Sequence, residues 1–368
     1  MKYLFFFVHP AKYYMFRNVI NRLKNEGHSV DILIIKKSIL EELICNEGWE
    51  YKNIFPYGRK LKRGGKIISL AVYFPLTILK LLRHSIGKKY DLFITDDLLT
   101  ITGRILGIKS ILCTDDDLTA VPESWILMAA ADYILSTATA DMEKYNHKKI
   151  AYNGVKAIAH LHPEVFKPDI EFITRAGLKA KAYCLIRCVS VTSTHDTGKK
   201  GIGDALLLKL VEYLKRKGQV VINSERILPQ ELREYLLPVE NYEIAHYTSF
   251  AKIFISDSTT MCAEAAVLGT PAIEIDDWHN LFGQYGLLNG KYGLLWGFMP
   301  EDEINIFSKI DDLLNNQNLE EEYIIKKDRM INESDDLNSF IYNLLAGFPL
   351  STGKYKRVHG LNQLAGEK

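Results

Sequence analysis

Residues 255–271 read ISDSTTMCAEAAVLGTP, and this stretch decides the fold. An apolar strand end runs into a cluster of small hydroxyl residues, which favour helix starts because their side chains accept hydrogen bonds from free backbone N–H groups. Alanine-rich helix-forming sequence then continues to Gly269, and Pro271 opens the next apolar run. The stretch therefore predicts a strand, a tight turn and a helix, the repeating unit of a parallel sheet.

The start of this predicted helix is a candidate anion site. Free backbone N–H groups and the helix dipole favour a phosphate there, with Ser258, Thr259 and Thr260 around it. Glu264 follows Ser258 by six residues, roughly 9 Å along the helix axis, where a carboxylate can hold ribose hydroxyls. An ordinary capped helix with a solvent-facing glutamate explains the same residues, so that alternative stays open.

The same alternation surrounds the stretch in the second half of the chain. The predicted elements are strand 182–191, helix 204–216, strand 219–223, strand 252–256, helix 258–268 and strand 271–275. Strands that alternate with helices build a doubly wound parallel sheet. The predicted fold class is therefore α/β, with a Rossmann-like domain over residues 158–345.

The first half repeats this organisation. Predicted strands cover residues 2–8, 30–35, 90–95, 109–113 and 132–136, and a helix over 14–26 ends before Gly27. These elements predict a Rossmann-like domain over residues 1–157. Residues 152–181 have weak periodicity and are predicted to contain the connection between the domains and its hinge. Residues 346–368 are rich in Gly, Lys and Ser and are expected to form a flexible tail without an assigned function.

The composition is typical of a globular, cytoplasmic protein with two cores. The 368 residues carry 46 Lys and Arg against 45 Asp and Glu, which argues against a nucleic-acid partner. Five cysteines without a CxxC pair fit a reducing compartment. The longest apolar stretch, residues 67–82, is interrupted by Pro75 and Lys80 and is shorter than the roughly 20 residues that span a bilayer. No transmembrane helix is predicted.

The strand, turn and helix around Ser258 resemble the nucleotide-sugar motif of GT-B glycosyltransferases and UDP-N-acetylglucosamine 2-epimerases. In that motif a serine opens the helix and a glutamate six residues later binds the ribose, as Ser258 and Glu264 would here. Over about residues 2–345 the chain is similar to the family called domain of unknown function 354, which is assigned to the GT-B group. The other matching segments are 9–11, 152–156, 166–169, 185–187 and 194–196. The resemblance implies GT-B architecture, with a nucleotide sugar bound between two domains and His9 among the substrate-binding residues.

The loop after the first strand of the second domain adds basic residues to this candidate site. His195 can donate to a phosphate or transfer a proton near neutral pH, and Lys199 with Arg187 can neutralise a diphosphate. In the epimerases a histidine after the corresponding strand contacts the substrate phosphate, and His195 resembles it. A solvated surface loop, in which His-Asp is ordinary turn sequence, is the alternative.

The first domain offers acids after three predicted strands: Asp96 and Asp97, then Asp115, Asp116 and Asp117, then Glu123. One of Asp97, Asp117 and Glu123 is predicted to be a catalytic base. Carboxylates at similar places carry the acid and base steps of the epimerases. This chain has Asp at the second of those places and lacks the epimerases' Gly-Thr-Arg-Pro turn, so epimerisation ranks second. Aspartates at helix starts also serve as ordinary N-caps.

No metal site is predicted. Residues 115–117 offer hard oxygen ligands, but GT-B enzymes, as the resemblance implies, stabilise the leaving diphosphate with helix ends and basic side chains. His160 and His162 alternate as zinc ligands can, but the neighbouring sequence offers no third ligand.

A basic segment, Arg59 to Lys66, precedes the apolar helix predicted over residues 67–82. Such an arrangement can dock on anionic lipid at the inner face of the membrane, beside a lipid-linked acceptor. A solvated basic loop before a helix that covers the sheet explains the same residues and is the favoured interpretation.

These patterns predict a nucleotide-sugar-dependent glycosyltransferase of surface-polysaccharide or glycolipid synthesis. A UDP-linked sugar is the expected substrate, and no separate cofactor is expected. The donor is expected on the second domain at Ser258, and the acceptor on the first. Two alternatives stay open: an enzyme like the UDP-N-acetylglucosamine 2-epimerases, and a non-catalytic protein that binds a nucleotide sugar.

Overall fold

The computed structural model of the chain describes residues 1–59, 66–189, 201–240, 242–281 and 283–349. The chain divides into two compact units. The first unit comprises Met1–Ala159 and the C-terminal segment that starts at Asp335, and the second comprises His160–Ser334.

The first unit is built on a seven-stranded parallel sheet with the order β3-β2-β1-β4-β5-β6-β7. Its strands are β1 (Lys2–Phe7), β2 (Ser29–Ile35), β3 (Lys52–Phe55), β4 (Leu92–Thr95), β5 (Ser110–Cys113), β6 (Tyr133–Thr137) and β7 (Lys149–Tyr152). The strands are apolar along their length because helices cover both faces of a parallel sheet.

The helices of this unit are α1 (Pro10–Asn25), α2 (Leu40–Asn46), α3 (Lys66–Ser85), α4 (Leu99–Leu106), α5 (Trp125–Ala130) and α14 (Leu337–Ala346). Helix α1 begins where the sequence favours it. The His9 side chain accepts from the Ala11 N–H, and Pro10 occupies the first helical position, where its missing N–H costs nothing. The short helix α6 (Ile158–Leu161) lies at the junction with the second unit.

The core of the first unit lies on both faces of β1. Tyr3, Phe5 and Phe7 belong to the cluster packed on one face, and Leu4 and Phe6 to the cluster on the other, all fully buried. Alternate residues of a strand point to opposite faces, so this single strand contributes to both apolar clusters.

The second unit contains a five-stranded parallel sheet with the order β12-β11-β10-β8-β9. Its strands are β8 (Tyr183–Cys188), β9 (Gln219–Ser224), β10 (Ile253–Ser256), β11 (Ala272–Ile275) and β12 (Leu295–Phe298). Its helices are α7 (Ile170–Arg175), α8 (Asp204–Leu214), α9 (Ile244–Phe250), α10 (Thr259–Leu268), α11 (Gly283–Tyr285), α12 (Glu303–Asn315) and α13 (Leu319–Asn332). Two parallel sheets with flanking helices confirm the predicted α/β fold class.

The C-terminal helix differs from the sequence prediction, which placed residues up to 345 in the second domain. Helix α14 packs on the first unit, where Leu337, Ile341, Leu344 and Leu345 join the core beside α1. Phe348 also packs against this core, so residues 346–349 belong to the packed fold rather than to the expected tail. The remainder of that tail, residues 350–368, lies outside the described residues.

Among the described residues, no helix has the length and hydropathy that a bilayer crossing requires.

Candidate functional site

Both sheets reverse their strand order at one point, and there the loops after neighbouring strands diverge and leave room for a ligand. In the second unit the reversal lies between β8 and β10. Asp257 and the start of α10 follow β10 directly. The structure therefore places the sequence-predicted Ser258 helix beside the switch point of its own sheet.

A row of residues crosses all five strands of the second sheet near the carboxyl ends of the strands. Asn223, Arg187, Ser256, Glu274 and Gly297 are partners in successive strand pairs. Four of the five are polar or charged, although the strands are otherwise apolar. Partners in a parallel sheet share a face, so the row forms a polar floor beside α10.

Helix α10 begins as the sequence predicts. Ser258 has extended backbone dihedrals, and its side chain accepts from the Met261 N–H at 3.4 Å. The first N–H groups of a helix have no intrahelical acceptors, so those of Thr259 and Thr260 remain available to an anion. The Thr260 side chain is half-buried.

Thr259 is held differently from Thr260. Its hydroxyl donates to Glu274 Oε1 on the neighbouring strand β11. The hydroxyl of Thr259 therefore orients the first turn of α10 on the polar floor, and its backbone N–H is the group left for a ligand.

Glu264 lies between the buried Ala263 and Ala265 and keeps its carboxylate partly exposed. Its Oε1 lies 3.5 Å from His160 Nε2 of the same unit. The flanking alanines bring this face of α10 close to its surroundings, and His160 holds the carboxylate in position. A partly exposed, oriented carboxylate on this face is suited to accept from two neighbouring hydroxyls.

Asp257 is a site residue that the sequence analysis did not single out. The side chain is buried, and its two oxygens accept from the N–H groups of Val189 at 2.8 Å and Ile202 at 3.3 Å. Burial raises the pKa of Asp257 to about 6. Gly201 permits this approach, since a Cβ there would lie 2.7 Å from Asp257 Cβ. The carboxylate thus ties β8 and the start of the α8 segment to the end of β10.

Glu274 and Asp276 form a buried acid pair behind Thr259. Both are fully buried, and Glu274 Oε2 and Asp276 Oδ2 have no hydrogen-bond partner among the described residues. Two neighbouring buried carboxyls favour a proton on one of them. Burial and the charge of Asp276 raise the pKa of Glu274 well above its usual value. Glu274 is therefore the neutral partner, and it accepts from the Thr259 hydroxyl.

Arg187, on β8, forms side-chain hydrogen bonds with β9 and the residue that follows it. Its guanidinium donates to Asn223 and to Glu225, the latter at 2.5 Å, and burial lowers its pKa. The charges of Asp257 and Glu264 oppose this lowering, so Arg187 lies near both carboxylates and supplies positive potential at the switch point. The other predicted basic residues of this site, His195 and Lys199, lie outside the described residues.

The first unit carries a second charged cluster at its own switch point, between β1 and β4. Lys12 is buried in the first turn of α1. Burial alone would lower its pKa, but Asp115, Cys113, Asp96 and Asp116 raise it above the usual value, so Lys12 is an ammonium ion. Within the described residues, its Nζ forms neither a hydrogen bond nor an ion pair.

The acids around Lys12 have different environments. Asp115 accepts from the Tyr152 hydroxyl at 2.5 Å and lies 3.8 Å from Lys156 Nζ; despite burial, the nearby cations and hydrogen bonds lower its pKa. Asp96 accepts from the Val8 N–H at 3.1 Å, and burial raises its pKa to about 6. Asp96 can therefore exchange a proton near neutral pH, whereas Asp115 stays ionised.

The acids that the sequence analysis favoured have other partners. Asp97 forms a two-pronged ion pair with Arg59, at 2.9 and 3.1 Å. Asp117 is buried and accepts from the Asp141 N–H. Glu123 is exposed in the turn Pro122–Ser124, and His9 is exposed at the cap of α1. None of these four residues is among the groups that raise the pKa of Lys12, whereas Asp96 and Asp115 are.

In the part of the chain that the structure describes, no three His, Cys, Asp or Glu side chains are placed to hold a metal ion together. Of the histidine pair considered from sequence, His160 contacts Glu264, and His162 Nδ1 accepts from the Glu164 N–H.

The chain is similar to several solved structures over nearly its whole length. A Listeria monocytogenes protein provisionally assigned as a UDP-N-acetylglucosamine 2-epimerase aligns with a TM-score of 0.70 at 11% identity, over 95% of this chain and 96% of that one. The Neisseria meningitidis UDP-N-acetylglucosamine 2-epimerase bound to UDP-GlcNAc gives 0.64 at 14%, over 94% and 100%. The spinosyn rhamnosyltransferase complexed with thymidine diphosphate gives 0.61 at 15%, over 94% and 100%.

No family model matches the sequence, and no curated protein matches it either. The resemblance to domain of unknown function 354 therefore stays a prediction. At identities this low the structural likeness concerns the fold, and the fold is that of two Rossmann-like domains of the GT-B type.

Proposed function

We propose that this protein is a nucleotide-sugar-dependent glycosyltransferase of surface-polysaccharide or glycolipid synthesis. The observation that carries the proposal is the start of α10. A serine-capped helix N-terminus lies at the switch point of the second sheet, with the oriented carboxylate of Glu264 further along the same helix. The helix N-terminus suits the diphosphate of a nucleoside diphosphate, and Glu264 suits its ribose hydroxyls.

In the proposed complex the diphosphate accepts from the N–H groups of Thr259 and Thr260, beside the Ser258 hydroxyl. Glu264 accepts from the ribose hydroxyls. Arg187 contributes positive potential, and His195 and Lys199 are proposed, from sequence alone, to neutralise the leaving diphosphate. The expected donor is a UDP-linked sugar, without a separate cofactor.

We further propose Asp96 as the base that deprotonates the acceptor hydroxyl. A base with a pKa near 6 is largely ionised at neutral pH and still accepts a proton readily. The unbonded ammonium of Lys12 can donate to an oxygen of the acceptor. Asp97, Asp117 and Glu123 remain candidates, but the contacts of Asp97 and Asp117 suit structural roles.

The similar structures support the ligand class. One is bound to UDP-GlcNAc and another to thymidine diphosphate. These ligands belong to those proteins; for this chain they support a nucleoside diphosphate attached to a sugar.

Epimerisation of a UDP-sugar is the second candidate, and the cluster around Lys12 favours it. An epimerase must remove and return a proton on one sugar, which requires acids and bases poised near neutral pH. Asp96 offers a carboxyl whose pKa burial raises to about 6, and the Lys12 ammonium near it can stabilise negative charge that develops on the sugar.

A thermal-shift screen of the full chain against UDP, GDP, CDP, dTDP and their common sugars tests the donor site. We expect one nucleotide to raise the melting temperature, and Glu264→Ala to remove most of that increase. Glu234→Ala, an exposed glutamate of the same unit, is the matched control and should keep it. If no nucleotide stabilises the protein at millimolar concentration, the donor-site assignment fails.

Incubation with the identified sugar nucleotide alone separates the candidate reactions. A 2-epimer, or a glycal with free nucleoside diphosphate, would establish epimerisation. Turnover only after an acceptor is added supports the transferase. Binding without turnover, even with acceptors, would leave a non-catalytic nucleotide-sugar-binding protein.

A further inference from the structure

Helix α3 (Lys66–Ser85) has two apolar faces, and only one of them covers the sheet. On the inner face Thr77 and Leu81 are fully buried, and Leu81 joins the core cluster of β1 and β4. Lys80 also turns inward, where it donates to the Ile54 carbonyl and lies over the Phe55 ring. The inner face is therefore explained by the fold.

The outer face of α3 is a continuous apolar stripe. Ile68, Val72 and Leu79 are 56%, 44% and 61% exposed, and Pro75 is exposed between them. Ile86, directly after the last residue of α3, is 65% exposed, and its N–H donates to the Leu82 carbonyl as in a further helical turn. Their spacing of 4, 3, 4 and 7 residues places all five on one side of a helix. The stripe extends about 27 Å at 1.5 Å per residue, and single exposed apolar residues elsewhere form no such line.

The segment that contains this stripe is strongly basic. Residues 56–90 hold nine Lys and Arg and no Asp or Glu, although the whole chain carries 46 and 45. Arg83 is exposed one turn after Leu79, beside the stripe, and Tyr57, before the basic run, is almost completely exposed. Apolar and cationic groups are thus combined within one short part of the first unit.

We propose that the outer face of α3 lies on the surface of an anionic phospholipid bilayer. The apolar stripe would enter the boundary between headgroups and acyl chains, and the neighbouring Lys and Arg would contact lipid phosphates. A purely ionic partner such as a nucleic acid leaves the stripe unexplained. The charge of the segment selects an anionic surface rather than a neutral one. This proposal is independent of the reaction that the protein catalyses.

Vesicle flotation of the full chain tests the proposal. We expect the protein to float with vesicles of phosphatidylcholine and phosphatidylglycerol, and at least about tenfold less with phosphatidylcholine alone or in high salt. The triple variant Ile68→Ser, Val72→Ser and Leu79→Ser should lose about tenfold or more of the binding. The variant Ile227→Ser with Ile304→Ser is the matched control, because those residues are 89% and 84% exposed on the second unit.

The charge is tested separately with Arg83→Glu and Lys89→Glu, two exposed positions in the last turn of α3 and shortly after it, which should also reduce flotation about tenfold or more. Equal melting temperatures of all variants exclude a folding defect. Failure of the wild-type protein to float with anionic vesicles overturns the proposal, as does equal flotation of the stripe and control variants. A wild-type dimer that becomes monomeric in the stripe variant would assign the face to a second copy of the chain instead.

Discussion

A single proton on Glu274 connects the polar floor to the start of α10. The neutral carboxyl of Glu274 lies within the electrostatic influence of Asp276 and accepts from the Thr259 hydroxyl. If Glu274 ionised, two buried negative charges would lie close together, which is costly in a buried site. The orientation of Thr259 thus depends on a glutamate that stays protonated.

The variant Glu274→Gln tests this protonation. An unfolded glutamate ionises near pH 4.5, whereas burial raises the folded pKa well above that value. The folded state therefore binds more protons than the unfolded state above pH 4.5, and the contribution of Glu274 to stability falls as the pH rises. Glutamine cannot ionise and can still accept from the Thr259 hydroxyl.

We expect Glu274→Gln to gain stability relative to wild type between pH 5 and pH 8, by about 1 kcal/mol or more. Urea unfolding at both values measures the change, and the exposed Glu234→Gln should follow the wild-type pH dependence. Parallel curves for wild type and Glu274→Gln would show that the carboxyl is ionised in the folded protein.

The proposed base gives a second test at this scale. We expect Asp96→Asn to reduce turnover by about 10²- to 10⁴-fold while the stabilisation by nucleotide persists, because Asn can still accept from the Val8 N–H. Asp97→Asn should instead lower the melting temperature, because Arg59 loses its carboxylate, with a smaller effect on turnover. The opposite result would return the role of base to Asp97. Release of nucleoside diphosphate measures both variants.

Sequence alone identified Ser258 and Glu264 but not Lys12, Asp257 or Glu274. The first two belong to one helix, so their spacing in the chain is their spacing in the structure. The three missed residues acquire their roles from distant partners: Lys12 from Asp96 and Asp115, and Glu274 from Thr259. A single sequence without the strand order does not bring these residues together.

At the scale of elements, apolar runs were predicted well and three edge strands with polar or small residues were missed. Strands β1 and β2 lie within one residue of their predicted bounds. Strands β3, β7 and β12 have four residues each and include Lys, Asn or Gly. They lie at sheet edges, where burial on both faces is less complete and the apolar signal is weaker.

The cap of α10 is tested by two substitutions at Ser258. Ser258→Ala removes the acceptor for the Met261 N–H and should cost about 1 kcal/mol of stability, whereas Ser258→Gly should cost only a few tenths. Urea unfolding distinguishes these costs. Both variants lack the hydroxyl, so both should reduce the thermal shift by nucleotide. A full shift in Ser258→Gly would mean that the backbone N–H groups of α10 bind the diphosphate without the serine side chain.

At the scale of the whole molecule, the chain leaves the first unit at Ala159, builds the second and returns at Asp335. The return is anchored on both sides of α14. Asp335 accepts from the Asn153 N–H at 2.7 Å, and the Leu345 carbonyl accepts from the Tyr3 hydroxyl at 3.0 Å. The sequence analysis missed this return because the apolar face of an amphipathic helix does not indicate which sheet the helix will cover.

The returning helix should therefore stabilise the first unit and not the second. Ile341 is fully buried in the first-unit core, so Ile341→Ala should cost about 2–5 kcal/mol. Hydrogen exchange followed by mass spectrometry gives the local readout. We expect faster exchange in β1 and unchanged exchange in β8, whereas Asn343→Ala, an exposed position on the same helix, should leave both unchanged. Faster exchange in β8 with β1 protected would assign α14 to the second unit, as its position in the sequence had suggested.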